Sequence, residues 1–157
     1  MSLLELSLFV HITAVVVGFG STFAEALMFP VALKLDNRHL PYVHKLQLAI
    51  NQRFATPALV LVLITGLYQT SEGGYSLGDL WISATLVIVV ALGGLIGGYF
   101  IPTDRRLGPM AERELATGAG EMSAEYQRSA RGEGIAGGIA GVLIVIAIFL
   151  MVVKPGG

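Results

Sequence analysis

Leu3–Leu35, LLELSLFVHITAVVVGFGSTFAEALMFPVALKL, decides the fold. A helix crosses a hydrocarbon core of roughly 30 Å with about 20 apolar residues, so this run spans with some tilt or protrudes at one end. It carries two ionisable residues at membrane depth, His11 and Glu25. The interval from one to the other falls about 40° short of four full turns, so both project to nearly the same side. Between them lie Ala14, Gly18, Ser21 and Thr22, a small and polar stripe on a helix otherwise built from Val, Leu, Phe and Ile. Such a stripe faces protein rather than lipid. Ala24-Glu25-Ala26 imitates a signal-peptide cleavage site, yet no Lys or Arg precedes it and apolar sequence continues through Leu27, Met28, Phe29 and Val31. The first helix therefore reads as retained.

The rest of the 157 residues repeats the theme. Hydrophobic residues make up 54% and charged residues 13%, with a mean hydropathy of +0.73, which excludes an ordinary soluble domain. Four apolar runs account for the excess, and the reading is a single all-α domain over residues 1–157. It is a polytopic membrane protein with four transmembrane helices in an antiparallel up-and-down bundle. The helices are expected at about 4–33, 53–70, 81–101 and 132–153, with polar connections at 34–52 and 103–131. Within the first connection Tyr42, Val43, Leu46 and Ile50 recur at helical spacing, compatible with an amphipathic segment on the membrane surface or the first turns of helix two. The second connection interleaves five arginines with acids, compatible with a projecting helix broken at Gly118 and Gly120. No cysteine is present, which removes disulfides, thiolate metal sites and cysteine-held iron–sulfur clusters.

Basic residues near the ends of spans set orientation. Lys34, Arg38, Lys45 and Arg53 follow helix one; Arg105, Arg106, Arg113, Arg128 and Arg131 follow helix three; only Lys154 stands on the other side. Both termini and the loop from Glu72 to Asp79 are therefore expected outside, and the two basic connections in the cytoplasm.

His11 lies about 12 Å along its helix, in the outer half of the membrane. Thr65 and Gln69, four apart on one face of helix two, reach a similar level. A neutral His11 can donate to either and leave its other nitrogen to ligate haem iron or a metal, to relay a proton, or simply to order the bundle. A five-coordinate haem, a site pairing His11 with Met151 near the outer end of helix four, or a site shared across a dimer remains open. His39 and His44 read as solvated and lie across the membrane from His11, which excludes a bis-histidine haem within one chain. Glu25, toward the cytoplasmic half, pairs with Arg131 or Arg53 or acts as a relay. Glycines four apart, Gly93 with Gly97, Gly94 with Gly98, Gly134 with Gly138 and Gly137 with Gly141, suit close packing of helices three and four or of a homodimer; the other reading is a glycine-lined pathway or room for a flat cofactor. No nucleophile stands beside a base, no phosphate loop follows a strand, and no basic surface suits nucleic acid.

LFVHITAVVVGFG in the first helix, PALVLVLITGLYQT from Pro57 in the second, the third opening at Trp81 and ending IPTDRRL, and FLMVVKP at the close resemble a bacterial family of predicted integral membrane proteins of unknown function. That family is distantly similar to the CopD copper-resistance proteins and the HemJ-type protoporphyrinogen oxidases. In the latter a first-helix histidine is implicated in haem binding, and His11 matches its position. Trp81, Ser83 and Thr85 stand where those oxidases carry a basic residue, so the resemblance implies haem b binding or a redox-associated role without the oxidase activity. The alternative is a non-enzymatic accessory subunit, or a small transporter of protons, metal ions or a small molecule using His11 and Glu25.

Overall fold

The structure is a computed structural model that describes residues 1–118 and 120–156; the side chain of Leu33 lies outside the described set. It is all helical, with no strand among the described residues and four helical rods long and apolar enough to cross a membrane. The first rod is α1 (Leu3–Leu35), started by a capping box in which Ser2 and Glu5 satisfy each other's backbone N–H groups. The second joins α2 (Leu40–Ile50) to α3 (Thr56–Glu72) through a π turn at Asn51–Ala55. The third joins α4 (Leu80–Leu95) to α5 (Ile101–Ala116) through a π turn at Ile96–Phe100, and the fourth is α6 (Ala124–Val153).

The polar connections are thus mostly helix. Residues 40–52 continue helix two downward and 103–116 continue helix three, and both rods outrun the bilayer at the basic end. The reason lies in a second inward stripe. In α2 it is Leu40, Val43, His44 and Gln47; in α5 it is Asp104, Leu107, Gly108 and Ala111. The two stripes pack on each other, and Leu40, Leu107 and Ala111 are fully buried. Tyr42, placed by its spacing on the apolar face, is exposed instead, while Leu46 and Ile50 are half-buried. Gly118, at φ +74, ends α5 in a left-handed turn, and Ser123 starts α6 by accepting from the N–H of Tyr126.

Both π turns have a local cause. Pro57 and Pro102 sit two residues beyond them, and a proline ring collides with the carbonyl four residues back, here Arg53 and Gly98, inside each π turn. Widening the turn relieves the collision. The Asn51 carbonyl accepts both the Thr56 N–H and, at 2.7 Å, the Thr56 hydroxyl across the first π turn. The two π turns pack against each other at one level of the bundle.

Within the membrane, α1 packs on α3 and α4 on α6. Gly18 makes the first contact close, since a Cβ there would overlap that of Ala58. The glycines of helices three and four divide. Gly93 packs on Leu59 and Gly141 on Phe23, but a Cβ added at Gly94, Gly97, Gly134, Gly137 or Gly138 would meet nothing within 4 Å. Close packing within the chain therefore explains only part of that pattern.

Candidate functional site

At the basic end, four rods bring polar side chains to one level. α2 supplies His44 and Gln47, with Asn51 one turn on; α5 supplies Asp104; α6 supplies Tyr126 and Glu133; α1 supplies Glu25. Glu25 is 22 residues from Leu3 and Glu133 is 20 from Val153, placing the group about 30 Å from the opposite face, where hydrocarbon gives way to the basic end.

His44 is wholly buried, at 0% exposure, and Asp104 is at 2%. The His44 Nδ1–H donates to Asp104 Oδ1 at 2.9 Å, and the Tyr126 hydroxyl donates to His44 Nε2 at 2.8 Å. This saturates the imidazole, and Phe29 and Tyr126 flank its ring. Glu133 Oε2 stands 3.9 Å from Nδ1, and His44, Asp104 and Glu133 can each place a ligand atom within 4.8 Å of the others.

The carboxylates are not balanced. Among the described residues no Lys or Arg pairs with Glu25, Asp104 or Glu133. Three buried acceptor oxygens in this region, Glu25 Oε1, Gln47 Oε1 and Asp104 Oδ2, have no hydrogen-bond partner. Glu25, Gln47 and Glu133 face a cavity of about 280 Å³ whose remaining wall is mostly apolar. Asn51, Ala55, Ile96 and Phe100 of the two π turns line it, as do Gly134, Gly137 and Gly138. Pro30 lines it too, and having no N–H it leaves the carbonyl of Ala26, also in the wall, without its helical donor.

Several expectations change here. His44 is no solvated surface histidine but the most enclosed ionisable side chain of the site. Glu25 has neither Arg53 nor Arg131 as partner, since both are exposed. On α6 the inward residue is Glu133, two positions from Arg131 and so about 200° around the helix. In α2 and the π turn, Asn51 and Ala55 point inward and Arg53 outward.

The outer polar group is separate. His11 Nδ1 lies 2.8 Å from Thr65 Oγ1, and the Thr65 hydroxyl itself donates to the Leu61 carbonyl at 2.5 Å. The hydroxyl therefore accepts the Nδ1–H, which leaves a lone pair on His11 Nε2. Gln69 turns instead to Ser7, donating to its hydroxyl at 3.2 Å. His11 and Met151 both line a cavity of about 40 Å³, room for about one water. A porphyrin is not enclosed there; a haem on His11 needs space outside the cavity of a single chain.

Fold and site together define a four-span, all-helical integral membrane protein with an uncompensated acidic chamber near its basic end. Residues 5–155 match the family described as "Predicted integral membrane protein (DUF2269)", and the chain belongs to that family. No curated protein and no solved structure matches it.

Proposed function

We propose that this is a cation-binding protein of the bacterial inner membrane, with the acidic chamber as its site and transport or sensing of the cation as its role. The observation that carries the reading is the set of three buried, unpartnered acceptor oxygens beside three carboxylates with no Lys or Arg. Buried carboxylates are costly unless they are paired or protonated, so the arrangement suits a positively charged donor from outside the chain. Glu25 and Glu133 face the cavity and supply the contacts. Asp104, held by the His44–Tyr126 chain, adds negative potential behind them. Melting curves of the detergent-purified protein over a panel of divalent metals and organic ammonium ions test this. At least one class should stabilise the wild type saturably and Glu25→Gln/Glu133→Gln much less; no stabilisation by any, or equal stabilisation of both proteins, would refute it.

His11 supports a second reading through its free Nε2. A haem ligated there would lie against lipid or a second copy, as in a homodimer. An oxidised-minus-reduced spectrum decides: a Soret band lost in His11→Ala supports the haem, and colourless protein from haem-replete cells retires it.

A further inference from the structure

If the chamber is a cation site, as proposed above, its shape and lining bear on which kind of cation enters it. We infer that the ligand is an amphipathic organic cation, an alkyl or aryl ammonium whose apolar body fills the cavity and whose N–H groups meet Glu25, Gln47 and Glu133. A bare metal ion is the rival, and the geometry of His44 counts against it. Both ring nitrogens are engaged, at 2.9 and 2.8 Å, and the side chain has no exposure. A metal on Nδ1 would have to displace the Asp104 bond.

The space favours the organic ion. At about 280 Å³ the cavity approaches the lower end of the roughly 300–1,000 Å³ typical of small-molecule sites. Its wall combines Phe19, Phe29, Phe100 and Ile144 with polar groups that include the unpartnered Glu25 Oε1 and Gln47 Oε1. Gln47 is 9% exposed, so its free oxygen is a buried acceptor aimed into an apolar room. A metal ion would use the carboxylates and leave the apolar volume empty. An ammonium with a hydrocarbon body uses both, and aromatic faces favour its charge further.

A way in is also present. A second cavity of about 570 Å³ shares Phe29, Ala130 and Gly134 with the first and reaches Asn37 and Glu121 at the polar end. Both cavities have α1 and α6 in their walls. Side chains are missing from the α6 wall at Gly134, Gly137 and Gly138, where an added Cβ would meet nothing within 4 Å. The open stripe on α6 then serves as the wall of a ligand channel.

The test is equilibrium dialysis of the detergent-purified full chain with three probes: 3-phenylpropylammonium, its uncharged analogue 3-phenylpropanol, and Mn²⁺. The ammonium should bind saturably, and the alcohol about tenfold more weakly or worse, since it lacks the charge-assisted bonds. Gly138→Leu, which fills the cavity and keeps every carboxylate, should abolish ammonium binding; Gly137→Leu serves as the second variant if the first does not fold by circular dichroism. Mn²⁺ binding that depends on Glu133, with no ammonium binding, overturns the organic ligand and leaves the cation site standing. Equal binding of ammonium and alcohol overturns the role of the carboxylates. Binding of none overturns both readings.

Discussion

His44 shows how much one side chain organises at the basic end. Its two hydrogen bonds tie α2 to α5 and to α6 in a setting with no water to replace them. Removing the ring leaves Asp104 and Tyr126 with unpaired buried polar atoms and opens a hole beside Phe29. His44→Ala should therefore cost about 3 kcal/mol of stability, measured as a lower melting temperature in detergent. His44→Gln, able to donate to Asp104, should recover part of the loss; a variant as stable as wild type would mean that the triad holds nothing together. In the sequence the histidine reads as solvated because it stands beside Lys45 in a polar connection between two apolar runs. The legible signal was the run Leu40, Val43/His44, Gln47, Asn51, a helical stripe in which polar residues share a face with apolar ones. Glu133 hides in the same way beside Arg131. By contrast His11 and Glu25 were legible at once, because a charge in an apolar helix has no background to hide in.

Among the elements, the α1–α3 contact and the outer loop make separate predictions. Gly18 lets α1 approach Ala58, so Gly18→Val forces the two helices apart and should cost about 2 kcal/mol, seen by thermal melting. Gly97→Ala, at a site where nothing stands within 4 Å, should leave the melting temperature of the isolated chain unchanged. At the other end Lys154 stands 4.7 Å from the Tyr75 ring centroid and 5.3 Å from that of Trp81, and donates to the Tyr75 hydroxyl at 2.9 Å. It thereby pins the end of α6 to the loop before α4, at the price of a left-handed backbone (φ 48). Trp81 is the only tryptophan, so Lys154→Ala should shift its emission to the red as the ring meets water. Unchanged emission would show that the lysine does not cover it. Long apolar runs foretell the four rods that can span a membrane, whereas the helical extensions are not separable from loops by polarity alone. What carried them was burial between α2 and α5, a tertiary fact. The π turns were signposted by Pro57 and Pro102, although a proline near a helix start reads equally well as an ordinary first turn.

The whole molecule is a bundle whose long rods rise at the basic end to enclose a chamber, with nine of ten Lys and Arg on the chamber side. By the positive-inside rule the chamber is expected to face the cytoplasm and the termini the outside. Because the chain lacks cysteine, single substitutions report this directly. In intact cells Ser76→Cys should react with an impermeant maleimide and Ser123→Cys should not; the reverse pattern would invert the topology and the direction from which a ligand reaches Glu25. The apolar wall, the glycine stripe and the unpaired oxygens gain meaning only in three dimensions, since they come from all four rods.

The measurement that bears most directly on the cation site is the amount of 3-phenylpropylammonium and of Mn²⁺ bound per chain, by calorimetric titration of wild type and of Glu25→Gln/Glu133→Gln at matched folding. Saturable binding of one of the two cations to the wild type, near one per chain and lost in the double variant, is the expected result. Equal binding to both proteins, or none to either, would mean that the chamber is not where a cation sits.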